Sequence, residues 1–370
     1  MILSKFLRQP SSGKYIREID ALRFFAILPV VIMHMNTSYF RNFENEYIRG
    51  LESSIIKYGV WGVELFFVIS GFVISLPFFI KIKSKNYKIL TKEFFIKRIR
   101  RIEPPFVISL LIIYLLSLTI NRFSFIDSID NLIATLFYVH KIIYAEWSII
   151  NPITWSLETE IQFYIIIPII FSALSKVKKS HIYLLTSFIF IFSIFLNSSD
   201  LLGPNLNKSL LVYGHLFILG IMLSYIYVYS NYLLIKSKIF DLIFPISFFL
   251  IYEAKILEYP ILLDIGIFVL FISVFKSNIF NKIFCRNIFV IIGGMCYSIY
   301  LLHYAVLESA HKFLKYIQVQ NYLIVNILSI VAVALISSLF FLYIEKPFMN
   351  PIKNLRIPSA FKIKNDQPRF

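Results

Sequence analysis

Leu22–His34 reads LRFFAILPVVIMH: an apolar run with an arginine at its second position and a histidine at its last. The run is the right composition for hydrocarbon, yet hydrocarbon penalises both of those residues by a few kcal/mol each on insertion scales, roughly. Eleven residues separate Arg23 from His34. On a helix that is three turns plus about 20°, so the two side chains share a face and lie about 16 Å apart along the axis. Asp20 precedes Arg23 by three and can pair with it.

The rest of the chain places this run in a bilayer. Of 370 residues, 58% are hydrophobic and 16% charged, and the mean hydropathy is +0.75. One soluble core cannot hide that much apolar side chain. Alternating strand patterns are absent, which argues against an outer-membrane barrel. The expected fold is all-α: a polytopic integral membrane protein with about ten transmembrane helices, at roughly 22–40, 56–80, 104–120, 155–174, 181–197, 209–228, 238–253, 259–276, 288–307 and 321–345. Pro29 and the lack of a small-residue cleavage site argue that the first run is a retained span rather than a signal peptide.

Charge supplies the orientation. The segment 81–103 carries Lys81, Lys83, Lys85, Lys88, Lys92, Lys97, Arg98, Arg100 and Arg101 against Glu93 and Glu103, which makes it cytoplasmic. Alternate loops are then basic in turn, and both termini are expected in the cytoplasm. The net charge of +16 is this asymmetry, not a nucleic-acid footprint. Residues 1–350 form one transmembrane domain, followed by a short basic cytoplasmic tail at 351–370. The outer loop 121–154 contains NLIATLFYVH, too short to span and suited to an interfacial or re-entrant helix. Cys285 and Cys296 suggest neither a disulfide nor a metal site.

Depth sorts the remaining ionisable residues. Glu64 lies in the outer half of the second span, where Gly59, Gly62 and Gly71 permit close helix contact. In TWSLETEIQFY, Glu158 and Glu160 are about 200° apart and face different ways, while Ser156, Glu160 and Tyr164 share a face. His303 falls in the outer half of the ninth span, with Tyr300 one turn below. His34, Glu64, Glu160 and His303 thus reach similar depth on four helices, with Arg23, Arg98, Arg101 and Glu345 near the cytoplasmic surface. Each has a plain packing or positive-inside reading; His140, His181 and His311 read as unremarkable, and His215 is undecided.

Taken together, the segments resemble the bacterial membrane-bound acyltransferases of family three, which O-acylate surface polysaccharides. The resemblance runs from about 16 to 348. IDALRFFAILPVVIMH resembles the family's opening segment, GVWGVELFFVISGFVI its second, and FFIKRIRRIEPP its basic segment with Arg98, Arg101 and Pro104. TWSLETEIQFY matches the fourth-span segment at Glu160, and YSIYLLH and YIEKPF look like the closing segments. Phe24 stands where the family usually has glycine, and Glu64 where it has aspartate. The chain resembles the stand-alone type, without an extracytoplasmic hydrolase-like domain.

The resemblance implies an enzyme of the inner (cytoplasmic) membrane, transferring an acyl group, most often acetyl, from cytoplasmic acyl-CoA to a hydroxyl of a surface polysaccharide or lipid-linked glycan, with no metal. It implies His34 as general base and Glu160 as its orienting or charge-stabilising partner. Arg98 and Arg101 would bind CoA phosphates, with Arg23 and Glu64 also at the substrate path, and Tyr300 and His303 would hold acceptor or thioester. The alternatives are a transporter or flippase with a His/Glu proton relay and a polymerase acting on a lipid-linked glycan.

Overall fold

The computed structural model describes residues 6, 15–43, 59–84, 91–174, 179–199 and 201–349, the side chains of 91–93 and 173–185 excepted. The expectations for the tail at 351–370, for most of the N-terminal arm and for the His181 side chain lie outside these residues. The described residues are helical, with no strand among them.

The major helices are α1 (Arg17–Phe43), α2 (Trp61–Lys83) and α3 (Thr91–Thr119), then the short α4 (Ile129–Leu136) and α5 (His140–Tyr144). Next come α6 (Trp155–Leu174), α7 (Lys179–Ser198), α8 (Leu210–Tyr229), α9 (Ile239–Leu257) and α10 (Pro260–Lys276). The chain continues through α11 (Ile279–Phe284), α12 (Asn287–Gly294), α13 (Cys296–Tyr316) and α14 (Tyr322–Phe340), which runs through a π-helical turn at Phe341–Glu345 into α15 (Lys346–Met349). Local chemistry marks the ends. Asn321 caps α14 by accepting from the Leu323 and Ile324 amides. Pro260 opens α10 at a position whose N–H would be unused anyway.

Among the described residues, five helices are long and apolar enough to cross a membrane, or six if the bent pair α12–α13 is one span. That is fewer than the ten predicted, for identifiable reasons. α1 is not one of these five, although its stretch 21–38 holds a single charge, Arg23. α9 carries Asp241, Glu253 and Lys255, and α10 is only 17 residues long. On α7 the side chains are described only from Thr186 on, and Thr186–Ser198 is too short to count by itself.

The inside-out pattern of a bilayer protein is plainest on α14. Its inward row is Val325, Ser329, Val333 and Ser337, all buried, whereas Leu323, Ile327, Leu335 and Leu339 are exposed. The interior thus takes small and hydroxylated side chains while the surface takes leucine and isoleucine. Small residues also set a close helix pair. A Cβ at Gly71 on α2 would meet the Phe217 carbonyl of α8, and one at Gly220 on α8 would meet the Val68 carbonyl of α2. The two backbones therefore touch, with Phe163 stacked on Phe217 beside them.

Two expectations are refined. The span predicted at 104–120 begins earlier: α3 runs helically through Pro104 and Pro105, so Arg98 and Arg101 stand on a helix rather than in a loop. The span predicted at 288–307 is broken, α12 and α13 meeting at 69°. The bend follows Gly293, which lies on α1 so closely that a Cβ would meet the Asp20 carbonyl. The segment NLIATLFYVH forms α4 and the start of α5, as a short loop helix should.

Candidate active site

A cavity of about 110 Å³ opens between α1, α2, α3, α6 and α13, and its walls include Arg23, Arg98, Arg101, Glu160 and Tyr300. Five of the eight residues singled out in the sequence therefore meet in one place. Helical spacing explains each contribution. On α6, Ser156, Glu160 and Tyr164 line the wall at i, i+4 and i+8. On α2, Val63, Phe66, Ser70 and Val73 do the same. On α1, Arg23 and Val30 lie seven apart on the face that continues to His34.

The cavity is polar at specific points. Glu160 accepts hydrogen bonds from Ser70 Oγ and from the Tyr164 hydroxyl. The Arg98 guanidinium lies 5.7 Å from the ring centres of both Phe94 and Tyr164, an arrangement that holds the planar fork by cation–π attraction. Arg23 donates to Asp20, as the spacing suggested, and that pair is buried. Among the described residues, Arg98 and Arg101 form no ion pair, and Glu160 shares the cavity wall with both. The cavity wall thus carries the guanidinium groups of Arg23, Arg98 and Arg101 and the carboxylate of Glu160.

Tyr300 donates its hydroxyl to the Ile153 carbonyl at 2.7 Å and lies 3.0 Å from Ser156 Oγ. Tyr297 ties α13 to α3 through the Ile102 carbonyl at 2.9 Å. The break between α12 and α13 therefore has a local consequence: it sets Cys296, Tyr297 and Tyr300 on the cavity wall.

His34 and His303 stand one turn beyond Val30 and Tyr300. Their ring centres are 5.2 Å apart, and Tyr304 meets His34 edge-on at 5.4 Å. His303 is fully buried; His34 is half-buried. Glu160 makes no hydrogen bond or ion pair with His34 among the described residues. The structure brings Glu160 to the arginines and His303 to His34.

Glu64 is elsewhere. Its carboxylate pairs with Lys255 of α9, with contacts of 2.6 and 2.8 Å, and it is not part of the cavity wall. The direction of its face is the reason: Glu64 sits one residue, about 100°, from Val63, which does line the cavity. The other described histidines are accounted for. His140 bonds Asn131 at 2.7 Å and His311 bonds Ser38 at 2.9 Å. His215, undecided from sequence, is a buried partner of Asp264 at 2.8 Å, with Asn197 at 3.3 Å on its other nitrogen. Both cysteines are free thiols, and no metal-binding cluster exists among the described residues.

Sequence reasoning missed Ser70, Lys255 and Asp264. The spacing of Val63, Phe66, Ser70 and Val73 was a visible signal for Ser70; the other two needed the packing of α9 and α10.

A family model described as "Acyltransferase domain" matches residues 16–344. The chain belongs to acyltransferase family three. Similar proteins of Staphylococcus aureus include one in strain COL named "Putative O-acetyltransferase", 27% identical over 379 residues, covering 90% of this chain and 57% of the relative. Another is the O-acetyltransferase OatA of strain NCTC 8325, 25% identical over 378 residues, covering 93% of this chain and 58% of the relative. The chain thus spans less than two thirds of the length of these relatives. No solved structure matches it. The match places an acyltransferase domain over most of the chain, and the five or six long apolar helices among the described residues suit a multi-pass membrane protein.

Proposed function

We propose that this acyltransferase moves an acetyl group from cytoplasmic acetyl-CoA to a hydroxyl of a surface polysaccharide or lipid-linked glycan across the inner membrane. The observation that carries the reading is one cavity with Arg23, Arg98 and Arg101 on its wall and the His34–His303 pair one turn beyond. In this reading the chain has ten spans with both termini in the cytoplasm, so the arginines face the donor side. Arg98 and Arg101, three apart on one helix face, bind the CoA phosphates, for which the guanidinium fork is suited. The pantetheine arm enters the narrow cavity, and the thioester arrives near His34.

His34 takes the proton of the acceptor hydroxyl as the oxygen attacks the thioester carbonyl. The tetrahedral intermediate collapses with cleavage of the C–S bond, and the imidazolium returns the proton to the departing thiolate. Glu160, fixed by Ser70 and Tyr164, holds the counter-charge for Arg98. Tyr300 stands where the thioester passes. Glu64 belongs to the frame, through Lys255, rather than to the substrate path.

The test is the O-acetyl content of cell-surface polysaccharide by proton NMR, in a deletion strain complemented with wild type or His34→Ala at equal expression. Acetyl signals that return only with wild type support the reading. Full acetylation with His34→Ala refutes the proposed role of His34. Transport by a His/Glu relay would leave acetylation unchanged by the deletion.

A further inference from the structure

His303 has no freedom in where its proton sits. Nδ1 lies 3.0 Å from the Ile299 carbonyl and 2.9 Å from the Tyr300 carbonyl, both on its own helix. Carbonyls only accept, so Nδ1 must carry the hydrogen. In a neutral ring Nε2 is then a bare lone pair. That atom is fully buried and has no hydrogen-bond partner among the described residues. A buried acceptor left empty is destabilising, so its persistence calls for a donor that arrives in the working state.

The polar ring beside it is His34, with centroids 5.2 Å apart. Imidazoles at that separation, turned edge to edge, bring their nitrogens to about 3 Å, hydrogen-bond range. The rings are now tilted by 47°, and rotation about the broad χ2 of His34 closes the contact. Catalytic hydrogen bonds are often open before substrate binds.

We infer that His303 is the positioning residue for His34: its Nε2 accepts one ring N–H of His34 and so leaves the lone pair of the other nitrogen for the acceptor hydroxyl. The arrangement does with a second imidazole what the carboxylate does in a hydrolase triad. It assigns to His303 the orienting role that the sequence suggested for Glu160, which bonds Ser70 and Tyr164 instead. The inference rests on the acyl-transfer reading above. Through the reaction the His34 N–H stays on His303, while the other nitrogen receives the hydroxyl proton and then gives it to the thiolate. No proton is left over, and His303 stays neutral.

The experiment uses membranes carrying the full chain, labelled acetyl-CoA and endogenous glycan. It follows label in the polysaccharide as a function of acetyl-CoA concentration for wild type, His303→Ala, His303→Gln and His34→Ala, with thermal stability measured on each. A positioning role predicts that His303→Ala lowers the turnover rate about 100- to 1,000-fold, with KM for acetyl-CoA changed by less than about threefold. The protein stays folded. His303→Gln, whose amide oxygen can accept, recovers about tenfold or more. Wild-type turnover in His303→Ala overturns the inference. So does an equal loss in both variants with a raised KM, which would make His303 a substrate contact, or a loss that tracks unfolding. If wild-type membranes transfer no label, the acyl-transfer reading falls and this inference with it; transfer by wild type and His303→Ala alike removes the inference alone.

Discussion

Neutralising Arg98 and Arg101 tests the donor site most directly. Both side chains line the cavity, three residues apart on α3. A charge-assisted hydrogen bond to phosphate contributes about 1.5–3 kcal/mol, so losing one weakens acetyl-CoA binding about 10- to 150-fold. The lower part of that range is expected for a single substitution, because the other arginine remains on the wall beside the phosphates. Arg98→Lys keeps the charge but loses the planar fork held between Phe94 and Tyr164, and should fall between wild type and Arg98→Gln. The double variant should lose less than the two single losses added together if both guanidinium groups hold the same phosphate. Arg100 is exposed on another face of the same helix and serves as the control: Arg100→Gln should bind within about twofold of wild type. The assay is calorimetric titration of detergent-purified protein with acetyl-CoA at low and high salt. If Arg98→Gln/Arg101→Gln binds as tightly as wild type, or no more weakly than Arg100→Gln, the assignment of the phosphate site is wrong.

Other outcomes follow from the frame. Gly71→Val forces a side chain against the Phe217 carbonyl where α2 touches α8 and should cost about 1–3 kcal/mol, read as a lower melting midpoint in detergent, whereas Gly203→Ala, with open space around its Cβ position, should melt like wild type. Asp264→Ala strips buried His215 of its partner and should destabilise by about 1–2 kcal/mol in a membrane setting, while the activity of the protein that remains folded is unchanged. In the loop, the Asn131 amide at 2.7 Å and then the Tyr144 hydroxyl at 2.9 Å hold the exposed Asp130 carboxyl below its ordinary value of 3.8. A depressed acid stabilises above its unfolded value and loses that contribution as pH falls through the folded one. Protease nicking of the 120–150 loop should therefore rise when the pH drops below about 4, and Asp130→Asn should show part of that rise at neutral pH.

Much was determined by the sequence alone, because membranes and helices impose short-range rules. Long apolar runs have to be helices in lipid, and a fixed rotation per residue predicts shared faces. That is why the Arg23–Asp20 pair, the Ser156–Glu160–Tyr164 wall and the opposite facing of Glu158 and Glu160 were readable from spacing alone. Glu158 indeed turns away, to accept the Lys141 amide at 3.0 Å. The resemblance of ordered segments added the family, because those segments carry the residues that meet in the cavity.

Partnership between helices was beyond that reach. Periodicity places Glu64 and His34 at one depth but does not say which neighbour each faces. That depends on how α1, α2, α9 and α13 rotate and cross, and those rotations are set by close contacts such as Gly71 on Phe217 and Gly293 on Asp20. Only the tertiary structure sent Glu64 to Lys255, His215 to Asp264 and Glu160 to Ser70, and it alone set His303 beside His34. The physical reason is range: a residue's depth and face follow from neighbours within a few positions, whereas its partner is fixed by contacts tens to hundreds of residues away in the chain.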